Sequence, residues 1–386
     1  MPLTNRIRKV GASSTLEITA KAKKMQKEGV DVISLSAGEP DFDTPENIKE
    51  AAKSAIDAGF TKYTPAGGIV ELKEAICRKF KKDNNLDYTP SQVVVSCGAK
   101  HSLYNSIQVL CQKGDEVIIP SPYWVSYPEM VRLAEATPVF ANTSRENGFK
   151  LTERGLTKAI TGRTKLIIVN SPSNPTGTVY NEKELFMISE IALDKGIYVL
   201  SDEIYEKISY DDGRHASIAS FNKKIYALTI TVNGVSKTYS MTGWRIGYLA
   251  APQEIATAID NLQSHSTSNP GSISQKAALE AMRGDQGFIS TMVTEFKKRR
   301  DYMVATLSGI KGFSPFNPLG AFYVFCEITK TGLGSVELSK RLLAEANVAV
   351  VPGDGFGWDD YIRLSFATSM EVIEKGLARI QQWATR

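Results

Sequence analysis

A chain of 386 residues, 42% hydrophobic and 23% charged, has the composition of an ordinary globular protein and the length for two or three domains. A net charge of +4 and a pI near 8.6 are only mildly basic, which favours small anions as partners and gives no case for nucleic acid. No apolar run approaches the ~20 residues that cross a bilayer, and the arginines and lysine at 6, 8 and 9 have no apolar segment behind them, as a secretory signal would. Cys77, Cys97, Cys111 and Cys326 form no CxxC pair, and His101, His215 and His265 are scattered. Reduced thiols, a cytoplasmic setting and no metal site are the expectation.

Residues 1–30 read as an arm leading into a helix, with Leu16, Ala20, Ala22 and Met25 as a partial apolar face. A short strand from Val32 is broken by Gly38 and Pro40. Thr44-Pro45-Glu46 then reads as N-cap, first helical residue and acidic first turn. The helix behind it places Ile48, Ala51, Ala52, Ala55 and Ile56 on one face and stops at Gly59. A loop rich in Tyr and Gly follows (61–68, with Tyr63), and Leu72, Ala75, Ile76 and Phe80 mark another amphipathic helix.

From residue 92 strands and helices alternate. The mainly apolar runs Val93–Ser96, Val117–Ile119, Lys165–Asn170, Ile197–Leu200 and Ala227–Val232 each lead to a polar or aromatic cluster. Continuous apolar strands with helices between them predict a mostly parallel sheet covered on both faces, an α/β fold with its chemistry at the strand ends. After Tyr248 helical stretches run to about residue 308. They include Lys297-Lys298-Arg299-Arg300, which reads as the solvated face of a helix. Ala321–Glu327 and Tyr361–Ala367 read as strands separated by a helix near 335–346, giving a smaller α+β domain. In the second of these strands Arg363 falls on the face opposite Ile362, Leu364 and Phe366. The division expected is 1–45 for the arm and part of the small domain, 46–285 for the large domain and 286–386 for the small C-terminal domain.

The run ending at Val232 delivers Lys237 to the sheet edge, beside Ser236 and upstream of Arg245. An amine there can form a Schiff base with an aldehyde cofactor, pyridoxal 5′-phosphate. Each remaining need of such a cofactor has a candidate. Gly98-Ala99-Lys100 at a helix start, with Ser236 and Arg245, suits the phosphate. Asp202 suits the ring nitrogen, Asn174 and Tyr205 the phenolic oxygen, and Trp124 the ring face. Nearby cationic charge would keep Lys237 neutral enough to attack. Once released, the same lysine can move a proton at the substrate Cα, and Arg363 can clamp an α-carboxylate through its fork.

Ser236-Lys237 with MTGWRIGY at 241–248, NSPSNPTG at 170–177, SDEIYE at 201–206, AGEPDFDTP at 37–45, SPYWVSYPEM at 121–130 and YIRLSFATS at 361–369 resemble the class I pyridoxal-phosphate aminotransferases of fold type I. The likeness is nearest to the bacterial aspartate aminotransferases and runs in order from about residue 13 to the C-terminus. It implies a seven-stranded, mostly parallel sheet in the large domain and a homodimer with shared active sites. Lys237 would be the Schiff-base lysine, Asp202 the ring-nitrogen partner, and Tyr205 and Asn174 the oxygen partners. Trp124 would stack on the ring, and Gly98, Ala99, Lys100, Ser236 and Arg245 would hold the phosphate with Tyr63 of the second subunit. Arg363, Trp124, Asn174 and the Gly38 amide would bind the substrate α-carboxylate. Lys100 and Thr15 would bind a distal carboxylate, so amino acid and 2-oxo acid substrates with two carboxylates are implied, aspartate and 2-oxoglutarate first. Relatives that also accept prephenate carry a lysine shortly before that threonine. This chain has Gly11 there, with Lys9 out of register, which speaks against prephenate.

Each motif has a plainer reading alone. Asp202 and Glu203 could cap a helix, Trp124 could be core, Asn174-Pro175-Thr176-Gly177 is a competent turn, and Arg363 could pair with a surface carboxylate. Gly234–Thr238 has the look of a phosphate-loop ending but lacks the glycine directly before its lysine. Two other functions stay open: the same fold acting on aromatic, alanine-type or broader donors, and a non-catalytic sensor that binds the cofactor. A sensor would need a DNA-binding segment for which the sequence before the arm has no room.

Overall fold

The apolar runs form strands where β-branched residues dominate, and the turn residues end them. The computed structural model describes residues 3–11, 14–210 and 215–385. In chain order the strands are β1 (Ile33–Ser34), β2 (Val93–Ser96), β3 (Glu116–Ser121), β4 (Thr137–Asn142), β5 (Thr164–Asn170), β6 (Tyr198–Asp202), β7 (Thr229–Gly234) and β8 (Gly247–Ala250). They continue with β9 (Ser314–Pro315), β10 (Tyr323–Glu327), β11 (Val348–Ala349), β12 (Val351–Pro352) and β13 (Tyr361–Ser365).

A seven-stranded sheet takes the order β2-β8-β7-β6-β5-β3-β4. Its neighbours are parallel except β8, which runs antiparallel to both β2 and β7. The sheet is apolar on both faces. Ile118, Ile167 and Val199 pack under the helix Glu182–Lys195, while Val117, Leu166 and Leu200 face the side of the helices Ala99–Leu110 and Gln253–Ser264. This is the mostly parallel, doubly covered α/β sheet of fold type I that the sequence implied. A four-stranded antiparallel sheet, β12-β13-β10-β9, and the parallel pair β1-β11 share a second core around Phe296, Phe322, Val324 and Leu364. No helix among the described residues is long and apolar enough to cross a membrane.

Several local expectations are corrected. The strand expected from Val32 is only two residues long and pairs with β11. Pro45, not Thr44, sits at the N-cap of the helix Glu46–Asp57. Thr44 turns away, donating its hydroxyl to the Ser240 carbonyl at 2.8 Å and accepting the Trp244 indole N–H at 3.0 Å. Ile56 is exposed although Ile48, Ala52 and Ala55 are buried, so the apolar face is narrower than its periodicity suggested.

Arg299 and Arg300 are buried rather than solvated. Arg299 donates to Asp41 at 2.7 Å and Glu295 at 3.2 Å, and Arg300 lies over the Tyr210 ring. Only Lys297 and Lys298 of that run face solvent. Paired charge lets an arginine enter a core that would reject it alone.

Candidate active site

The carboxyl ends of β5, β6 and β7 lie side by side, with Asn170 opposite Asp202 and Asp202 opposite Val232. The turns that follow carry Asn174, Tyr205 and Lys237 into one cavity of about 220 Å³. From the other side β10 and β13 bring Tyr323 and Arg363, and the segment after β1 brings Gly38. Ala99, Lys100, Trp124, Ser236 and Arg245 complete the wall. Most of the residues singled out in the sequence therefore meet at one place, though they are spread from position 38 to position 363.

Gly98 caps the helix Ala99–Leu110 with a φ of +87°, a left-handed value that glycine adopts freely. A Cβ there would run into the Arg245 guanidinium. Arg245 is held by the Thr242 carbonyl at 2.9 Å and the Cys97 carbonyl at 3.3 Å. The first amides of that helix, the Ser236 hydroxyl and the guanidinium thus make a cradle suited to a phosphate.

Lys237 donates from Nζ to the Gly38 carbonyl at 2.6 Å. Burial lowers its pKa to about 8, with Glu39 opposing the shift and Arg245 and Arg363 adding to it. Asp202 is 3% exposed, and burial raises its carboxyl to about 6 against the stabilising hydrogen bonds from Tyr127 and the Ile204 amide. Arg363 is fully buried and lines the cavity, while Ile362, Leu364 and Phe366, on the opposite face of its strand as the alternation implied, pack into the second core. Its Nη1 donates to Asn174 Oδ1 at 2.9 Å and its Nη2 to the Ser36 carbonyl at 3.1 Å. Its Nε has no partner among the described residues. Burial lowers the Arg363 pKa, as it does for Lys100, where Arg245 adds to the effect. The Lys100 ammonium sits 4.8 Å from the centre of the Trp124 ring.

Two tyrosines escaped the sequence reading. Tyr127 donates to Asp202 Oδ2 at 2.7 Å and packs edge-on to Trp124. Tyr323 shares a hydrogen bond with Tyr205, hydroxyl to hydroxyl, at 3.0 Å. Tyr127 lies within SPYWVSYPEM and Tyr323 within the strand read at Ala321–Glu327, and neither draws a role there. Tyr63 is 90% exposed and lines no part of this cavity. Thr15 belongs to the helix Ser14–Lys27, and its side chain lies outside the described residues.

Glu203 does not cap a helix; no helix begins there. It is buried and accepts from Ser201, Ser217, Asn84 and His215. With Glu206 it makes a cluster whose ligand atoms lie within 4.8 Å of one another and of His215. Lys79 pairs with Glu206, so this cluster already contains its own cation.

The family model for class I and II aminotransferases matches residues 30–380. An aspartate aminotransferase of Bacillus sp. (strain YM-2) is 51% identical over 386 residues, covering 99% of this chain and 98% of the relative. An aspartate/prephenate aminotransferase of Cereibacter sphaeroides is 49% identical over 390 residues, with 98% of each chain covered. Among solved structures, the aspartate aminotransferase of Thermus thermophilus with maleate superposes with a TM-score of 0.96 at 42% identity over 99% of both chains. The chain belongs to the class I and II aminotransferases.

Proposed function

We propose that the chain binds pyridoxal 5′-phosphate in this cavity and transfers the amino group of L-aspartate to 2-oxoglutarate, giving oxaloacetate and L-glutamate. One observation carries the reading. A buried lysine of lowered pKa, a buried carboxylate and two arginines line one cavity in a chain of this family.

The residues present fit the cofactor. The Gly98–Arg245 cradle leaves no room for a side chain at Gly98, which suits close approach of a phosphate to backbone amides. When bound, pyridoxal phosphate supplies an aldehyde for amine exchange and an electron-withdrawing ring that stabilises charge at the substrate Cα. Lys237 would hold the aldehyde and, when released, carry the proton at the substrate Cα, a general acid–base contribution of roughly 10²–10⁴-fold. Asp202 would hold the ring-nitrogen proton, Asn174 and Tyr205 the phenolic oxygen, and Trp124 the ring face. The unpartnered Nε of Arg363 supports its role as a fork for the α-carboxylate. Gly38, Trp124 and Asn174 would complete that subsite. Lys100 beside Trp124 would take the distal carboxylate, with Thr15.

The exposure of Tyr63, 90% in this chain, supports a homodimer in which it completes the phosphate site of the second subunit. Residues 46–285 would form the large domain around the seven-stranded sheet, and 1–45 with 286–386 the small one. A cytoplasmic enzyme is in keeping with this chemistry. An amino-donor panel with 2-oxoglutarate as acceptor tests the function. Aspartate should lead, with phenylalanine and alanine far slower, and an inert aspartate would contradict the reading.

A further inference from the structure

We propose that Tyr323 is a positioning residue acting on two groups at once: its hydroxyl aims that of Tyr205, and its ring fixes the plane of Arg363. The inference rests on the roles given above to Tyr205 and Arg363. Tyr323 lies on β10, opposite Ser365 of β13, while Arg363 pairs with the next residue but one, Phe325. Tyr323 and Arg363 are therefore diagonal neighbours on one face of the sheet. Tyr323 is 1% exposed and borders the cavity.

A phenol has one proton to give. The two hydroxyls lie 3.0 Å apart in a buried setting, so one must donate to the other. Burial raises the pKa of both tyrosines, which keeps both protonated. If Tyr205 spends its proton on the phenolic oxygen of the cofactor, its own oxygen must accept from Tyr323. That assignment fixes the direction of the pair and stops the Tyr205 hydroxyl from rotating away.

The ring has separate work. The Arg363 guanidinium lies 4.3 Å from the centre of the Tyr323 ring and 5.2 Å from that of Phe356. Two aromatic faces and two carbonyl-type acceptors hold the plane while Nε stays free for a carboxylate.

The two contributions separate by substitution. In cofactor-loaded Tyr323→Phe, the pH midpoint of the visible absorbance should rise by about 0.5 unit, roughly a threefold change in proton binding. Its Kd for maleate should stay within about twofold of the parent, since the ring remains. Tyr323→Leu should bind maleate about tenfold more weakly, the loss of an aromatic platform under a buried cation. Thermal melting checks that each variant folds, with Tyr323→Met replacing the leucine variant if it does not. An unmoved midpoint in Tyr323→Phe beside a shifted one in Tyr205→Phe would overturn the proposal alone. Unmoved midpoints in both would overturn the role of Tyr205 and this proposal with it. Undiminished maleate binding in Tyr323→Leu would overturn the role of the ring.

Discussion

Lys237 and Gly38 meet across 2.6 Å although 199 positions separate them, the ε-amine donating to the glycine carbonyl. The acceptor is uncharged, so it positions the amine without stabilising the ammonium as a carboxylate would. Burial then prevails, and the pKa falls to about 8. Below that value the amine is protonated and cannot attack; above it the neutral form dominates. The rate at which cofactor-free protein takes up pyridoxal phosphate should rise about tenfold per pH unit below 8 and level off above it. A rate still climbing about tenfold per unit between pH 8 and 10 would contradict the shift.

The hydrogen bond from Tyr127 keeps Asp202 ionised against burial. Tyr127→Phe removes a hydrogen bond to a charged group, worth about 1.5–3 kcal/mol, so turnover should fall roughly 10- to 100-fold. The acidic limb of the pH–kcat/KM profile should also move upward, because Asp202 would then protonate above about 6. A lowered rate with an unmoved limb would mean that Tyr127 serves packing alone.

Lys100→Ala should raise the KM for aspartate by about tenfold, the loss of one charge-assisted hydrogen bond, and leave phenylalanine nearly untouched. Half-reaction rates with both donors measure this. Unchanged aspartate kinetics would remove Lys100 from the distal subsite.

Gly98→Ala forces a side chain into a left-handed position against Arg245. Strain of about 1–3 kcal/mol should appear as a 5- to 100-fold weaker affinity for pyridoxal phosphate, read by equilibrium dialysis. Affinity equal to that of the parent would show that the phosphate sits elsewhere.

Away from the cavity, Glu206 is buried against Lys79, with Asn84 donating to it. Burial alone would raise its pKa, yet Lys79 and His215 hold it at about 2. Its folded pKa is thus below the ordinary 4.5, so its stabilisation is full above 4.5 and is lost as pH falls toward 2. Glu206→Gln should cost about 3 kcal/mol at neutral pH by removing the buried charge partner of Lys79 and leaving it Asp83 at 4.0 Å and the Asn84 amide oxygen, and denaturant unfolding measures it. A variant as stable as the parent would show that the pair contributes nothing net.

Much of this arrangement was legible because local signals and function coincide. The runs ending at Asn170, Asp202 and Val232 are β-branched and apolar, and the polar residues after them had nowhere to go but the sheet edge. What could not be read depends on contacts distant in sequence. β4 is an edge strand carrying Pro138 and largely open to solvent, so it lacks the apolar run that marked its neighbours. β8 falls where the sequence reads as passing, after Tyr248, into helical stretches, and only its insertion between β2 and β7 makes it a strand. Arg299 looked solvated until Asp41, far upstream, supplied its partner. Tyr127 and Tyr323 drew no role because a tyrosine's neighbours in sequence do not reveal where its hydroxyl will point.

The central claim is that one lysine, Lys237, carries the cofactor. Borohydride reduction of the protein loaded with pyridoxal phosphate, followed by proteolysis and mass spectrometry of the peptides, tests it most directly. A stable pyridoxyl adduct on the peptide containing Ser236 and Lys237, and on that lysine alone, is the predicted result. An adduct on another lysine, or none under saturating cofactor, would contradict the account.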